Sequence, residues 1–130
     1  MPRTAAPVFT LRPEERADEG VLRGLYIIGR WQEMAAAGLP EAERPEFLTW
    51  QYYQQHDQFA AAGAEVWVIE VGGDVAGRLV VQDGPGTLSV LDLAVMPPWQ
   101  GQGLEAGVLA LAGQRAAEDG QALAVPGAPA

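Results

Sequence analysis

Gly101 and Gly103 stand two residues apart in the run MPPWQGQGLEAG, directly after an apolar segment and directly before a helical pattern. Glycine takes tight backbone geometry that other residues resist, and the unpaired N–H groups at a helix start can hold the phosphates of an anionic ligand. An apolar strand, a glycine turn and a helix start are the context that phosphate binding needs, although the same pair of glycines also serves as a plain structural turn. The dinucleotide fingerprint of three spaced glycines is absent, and so is a phosphate loop ending in lysine. Asp92 is the one acidic residue inside LSVLDLAV. A carboxylate in that setting either takes a proton during a reaction or is tied down by hydrogen bonds. Glu33 and Glu70 are further candidates for a base, with solvated surface positions as the alternative. His56 and Asp57, in the polar run QYYQQHDQ, either contact an acceptor molecule or face solvent from a helix.

Other chemistries are removed by composition. With no cysteine there is no thiolate nucleophile, disulfide or cysteine metal site, and one histidine argues against a histidine metal cluster or a hydrolytic triad. All eight basic residues are arginine, which excludes a Schiff-base lysine. Seventeen acidic residues against those eight give a net charge of -9, a field that repels nucleic acid and anionic membrane where no basic patch reverses it. The expectation is therefore no metal, no nucleic acid and no membrane partner. No apolar run approaches the ~20 residues that span a bilayer, and MPRTAAPVF lacks the apolar core of a signal peptide, so a cytoplasmic setting is expected.

The elements that must position these residues follow from periodicity and from proline and glycine stops. After a lead-in over 1–7, the chain predicts a short edge strand at Val8–Arg12 and a helix over Asp18–Ala37, with Val21, Leu22, Leu25 and Ile28 at helical spacing. A second helix is predicted over Arg44–Ala62 with Leu48, Tyr52 and Phe59 on one face. Glu65–Val71 and Asp74–Val81 flank Gly72-Gly73 and read as a tight hairpin. A turn at Asp83–Gly86 leads to a strand at Leu88–Val95, apolar enough to be covered on both faces. A helix follows over Gly101–Asp119 with Leu104, Val108, Leu111 and Arg115 in one stripe, then a last strand at Ala122–Val125. The order is β-α-α-β-β-β-α-β. Its closing β-α-β unit demands a parallel strand pair, so a mixed sheet in a single α/β layered domain is expected. At 130 residues there is room for one domain and no more.

The stretch from Leu88 to Gly120 resembles the GCN5-related N-acetyltransferase superfamily, whose members carry a Q/R-x-x-G-x-G/A motif between the fourth strand and the next helix. Gln100, Gly101, Gln102, Gly103, Leu104 and Glu105 occupy its successive positions. The resemblance implies an acetyltransferase-like fold and acetyl-coenzyme A as cofactor. It would set Gln100 beside the pyrophosphate and make the Gln102 to Ala106 amides part of the cradle. The backbone of Leu93, Ala94 and Val95 would pair with the pantetheine arm. It further implies transfer of acetyl to an amine of a small molecule or peptide, with Asp92 as the base. Glu105 departs from the motif, which has glycine or alanine there. Its charge either opposes a pyrophosphate or simply complements the helix start. The matching elements run through the fifth strand, and the family's final helix and strands have no counterpart in this sequence. Those departures motivate the alternative, a noncatalytic relative that binds a ligand or a protein with weakened or lost coenzyme A binding. They also lead us to expect a second copy of the chain at the C-terminal sheet edge.

Overall fold

The structure is a computed structural model and describes residues 7–125. The rest of the expected lead-in, 1–6, and the terminal residues 126–130 lie outside that span. Five strands form one sheet in sequence order: β1 (Thr10–Pro13), β2 (Glu65–Val71), β3 (Asp74–Gly84), β4 (Thr87–Val95) and β5 (Ala122–Ala124). Neighbours run antiparallel except β4 and β5, which are parallel and pair from Thr87 with Ala122 to Ser89 with Ala124. Three long helices complete the domain: α1 (Glu19–Ala36), α2 (Arg44–Ala61) and α3 (Leu104–Glu118).

Alternation along the strands feeds two cores. Val68 points to the face covered by α1 and α2, where it packs with Leu22, Leu25 and Tyr52; Ile69 points to the opposite face, where α3 contributes Leu104, Val108 and Ala112. The β2–β3 hairpin turns through Gly72 and Gly73 with φ of 60° and 87°, the pair of positive values that a two-residue hairpin with matching twist requires. The pairing of β3 with β4 slips by one residue between Val80 and Val81, so that Leu91 is an extra residue on β4. That bulge re-phases the strand. Without it, alternation from Val90, which joins the α3 core, would send Leu91 to the α1/α2 face and Asp92 back toward α3; with it, Asp92 lies opposite Val80 on the α1/α2 face.

The element order and the mixed sheet agree with the sequence expectation, and several details differ. α3 begins at Leu104 and not at Gly101, because Gly101 and Gly103 have φ of 75° and 82°, values no right-handed helix contains; a single turn at Pro97–Trp99 precedes them. The buried stripe of α3 is Leu104, Val108, Ala112 and Ala116, while Arg115 is exposed, since small alanines let the helix lie close to the sheet. Val21 and Ile28 of α1 are exposed at 42% and 54%, so only Leu22 and Leu25 of the expected stripe are core. β3 continues to Gly84, and the turn shortens to Pro85-Gly86. No described helix is long and apolar enough to cross a membrane.

Candidate functional site

Beyond the Ser89–Ala124 pair, no described strand lies against β4 on the side away from β3. The Met96 N–H bonds to the Ala76 carbonyl at 2.7 Å across the β3 side. By alternation, Leu93 and Val95 turn their N–H and C=O groups to the open edge, while Ala94, opposite Arg78, turns its groups toward β3. The Gln100 side-chain amide donates to the Val95 carbonyl at 3.2 Å, tying the loop back onto that edge.

The loop then delivers a helix start. Gln100 is extended, Gly101 and Gly103 are left-handed, and the first bond within α3 runs from the Gly107 N–H to the Gly103 carbonyl at 3.0 Å. The amides of Leu104, Glu105 and Ala106 therefore precede the helical ladder, and no side chain caps them. The Gln102 side-chain amide bonds to the Pro98 carbonyl, which braces the loop from below the helix. Leu104 is buried and anchors the turn to the core, whereas Glu105 and Ala106 are exposed at the same end. Unpartnered first-turn amides suit a pyrophosphate, and an unpaired strand edge leading to them suits an amide-bearing arm, so the residues present fit acetyl-coenzyme A. The exposed Glu105 carboxylate is the one opposing charge at that helix start.

On the α1/α2 face, a pocket of about 270 Å³ lies between α1 and strands β3 and β4. Tyr26, Arg30 and Glu33 of α1 line it, with Arg78, Asp92 and Ala94 of the sheet. Arg78 is 2% exposed and donates from Nε to Asp92 Oδ2 at 2.9 Å and from Nη2 to Gln55 Oε1 at 2.6 Å, and its Nη2 also lies in ion-pair contact with Asp92 Oδ2 at 2.8 Å. Its plane lies among the rings of Tyr26, Tyr52 and Phe59, 5.8–5.9 Å from each centroid. Buried charge needs such a partner, which accounts for an aspartate within an apolar strand. Among the described residues, no side chain bonds to Asp92 Oδ1.

The other candidates from the sequence separate. Glu33 lines the pocket and pairs loosely with Arg30 at 3.4 Å. Glu70 is on β2, held by Arg12 Nε at 3.1 Å, and does not line it. His56, next to Gln55 on α2, bonds through Nε2 to Glu14 Oε1 at 2.8 Å and does not line the pocket, and Asp57 is exposed. Tyr26, for which the sequence leaves packing or lining an acceptor pocket open, lines this one, whereas the sequence reading does not single out Arg78 or Arg30. For Arg78 a signal existed: an arginine inside DVAGRLVV is as anomalous as an aspartate inside LSVLDLAV.

This fold and this strand-to-helix cradle define an acetyltransferase domain. The chain belongs to the acetyltransferase (GNAT) family, whose model matches residues 29–125, from α1 through β5. No curated protein sequence matches it. Among solved structures, YycN from Bacillus subtilis superposes with a TM-score of 0.63 at 18% identity, over 91% of this chain and 80% of that one. The PaiA N-acetyltransferase from Thermoplasma acidophilum, solved in complex with coenzyme A, gives 0.63 at 13% identity over 87% and 74%. A GNAT family acetyltransferase from Elizabethkingia anophelis, with acetyl-CoA bound, gives 0.58 at 15% over 90% and 63%. At these identities the likeness is one of fold.

Proposed function

We propose that the chain binds acetyl-coenzyme A along the open edge of β4 and transfers its acetyl group to a primary amine of a small molecule or peptide seated in the pocket between α1 and β4. The observation that carries the reading is the continuity of three features: the β4 edge at Leu93 and Val95, against which no described strand lies, the uncapped amides of α3, and a pocket containing Asp92 on one face of the same strand. Two solved GNAT structures of the same fold contain coenzyme A or acetyl-CoA, which supports the cofactor assignment.

Bound acetyl-coenzyme A supplies an acetyl group activated as a thioester. The amides of Gln102 to Ala106 and the side chain of Gln100 hold the pyrophosphate, and the edge groups of Leu93 and Val95 hold the pantetheine arm, with Ala94 as spacer. In the pocket, Asp92 attracts the ammonium form of the acceptor and takes a proton from it at Oδ1, while Arg78 keeps Oδ2 fixed. Glu33 adds a second negative charge at the mouth. Positioning of the free amine then does most of the catalytic work, in a reaction that needs no covalent enzyme intermediate.

Acetyl-coenzyme A titrated calorimetrically into the full chain, followed by a panel of primary amines with mass-spectrometric detection, tests the proposal. Saturable binding and acetylation of at least one amine are expected. A folded protein that binds no acetyl-coenzyme A would overturn it.

A further inference from the structure

The pocket between α1 and the sheet carries both signs of charge. Tyr26, Gly29, Arg30 and Glu33 recur at the spacing of one helix face and line it from α1, while β3 and β4 bring Arg78 and Asp92. Arg78 is buried and its charge is matched by Asp92, so it is not open to a ligand. Arg30 differs. Its side chain is 37% exposed, and among the described residues its one ion pair is the 3.4 Å contact of Nη1 with the exposed Glu33. Its guanidinium lies over the Tyr26 ring, with Cζ 4.8 Å from the centroid. Stacking of that kind uses the face of the group and leaves the N–H donors, which lie in its plane, to other partners. On the sheet side, Asp92 is 29% exposed and its Oδ1 has no side-chain partner among the described residues.

Two carboxylate and two guanidinium side chains line the pocket, so it is neutral as a whole and divided within. A polyamine or a bare alkylammonium ion would answer Asp92 and leave Arg30 facing a second positive charge or nothing. A ligand with an ammonium group at one end and a carboxylate at the other answers both. The volume of about 270 Å³ lies just below the roughly 300–1,000 Å³ of pockets for larger organic ligands, which suits a molecule of few heavy atoms. Gly29 keeps that space open. A Cβ there would meet no neighbouring side chain or strand within 4 Å, and its φ is not positive, so neither packing nor a left-handed backbone demands the glycine.

Resting on the reading of this pocket as the acceptor site, we propose that it selects a small amino acid with a free carboxylate, the ammonium group held at Asp92 Oδ1 and the carboxylate held in the plane of the Arg30 guanidinium. Transfer forms a bond from the amine nitrogen to the acetyl carbon and breaks the thioester carbon–sulfur bond. Of the two protons that the ammonium loses, one passes to Asp92 and on to solvent, and the other leaves on the thiol. The product, an N-acetyl amino acid, has lost the charge that Asp92 attracts and keeps the one that Asp92 and Glu33 repel, so it binds more weakly than the acceptor.

The probes are glycine, β-alanine, 4-aminobutyrate and 5-aminopentanoate, each titrated calorimetrically into the full chain without acetyl-coenzyme A, beside the n-alkylamine of the same carbon number and its own N-acetyl derivative. At least one amino acid should bind about tenfold more tightly than both counterparts. Arg30→Gln should remove that preference by weakening the amino acid and not the alkylamine. Gly29→Leu should raise the urea midpoint, since the helix interior gains a stronger helix former. It should also weaken amino acid and alkylamine alike, because a helical leucine leans back over Leu25 and Tyr26 of the same pocket. No preference over the alkylamine in the unaltered chain, a preference that survives Arg30→Gln, or undiminished binding in a folded Gly29→Leu chain would each overturn the proposal. None of these titrations needs acetyl transfer: a preference for the amino acid in a chain that binds no acetyl-coenzyme A would overturn the transfer reading and leave the selectivity of the pocket standing.

Discussion

Asp92 and Arg78 depend on each other: the arginine is buried, and the aspartate accepts its Nε–H on Oδ2, the same oxygen that Nη2 approaches at 2.8 Å. Replacing Asp92 by Asn removes the charge facing a guanidinium that is 2% exposed. The expected cost is about 2 kcal/mol, read as a lower urea midpoint, and if Asp92 takes the amine's proton kcat falls about a hundredfold. A variant that loses stability but keeps kcat would make Asp92 a structural residue. Glu105 is exposed at the second position of α3, beside amides that have no other partner. Glu105→Gly should strengthen coenzyme A binding by about fivefold, and Glu105→Gln should recover part of that gain through charge alone. Unchanged affinity in a calorimetric titration would leave the carboxylate as a complement to the helix start.

At the scale of elements, β4 has two neighbours over its first three residues and one over the remainder, and the change occurs next to the Leu91 bulge. Close approach of β3 to β4 at Gly77 belongs to the same design. A Cβ placed on Gly77 would lie 2.2 Å from the Ala94 carbonyl oxygen and 2.9 Å from the Val95 Cα, both backbone atoms that cannot swing aside. Gly77→Ala should therefore cost about 2 kcal/mol by forcing the strands apart, and it should weaken acetyl-coenzyme A binding, because the displaced segment is the one that presents Leu93 and Val95. Urea unfolding and a cofactor titration on the same variant check both halves. The hairpin at Gly72-Gly73 was readable from its glycine pair, whereas the bulge was not: nothing in LSVLDLAV distinguishes a residue that pairs from one that is skipped. The start of α3 was placed three residues early for a related reason, since the sequence pattern continues into the glycines and only their positive φ values exclude them from the helix.

For the molecule as a whole, two buried groups set opposite limits on pH stability. Asp18 anchors the entry to α1, and its hydrogen bonds from Arg12 hold its pKa below the ordinary 3.8 against the opposing effect of burial. A lowered carboxylate pKa stabilises the fold above the unfolded value, and that contribution is lost as pH falls below about 4. Tyr52 is raised from 10.0 to about 12, so its contribution is complete below pH 10.0 and is lost as pH rises toward 12. Melting temperature against pH should show both declines. Asp18→Asn should flatten the acid one and Tyr52→Phe the alkaline one, each leaving the other in place.

Periodicity, glycine pairs and composition are local properties, and they were enough for the element order, the mixed sheet, the glycine-flanked helix start and the exclusion of thiol and lysine chemistry. What faces what is not local. The side on which Asp92 emerges follows from one extra residue in a strand pairing, its partner Arg78 comes from the neighbouring strand, and Glu14 meets His56 from 42 residues away. Those contacts arise only when register and helix packing are set by the whole domain, because the free energy that selects them is the burial of side chains distant in sequence.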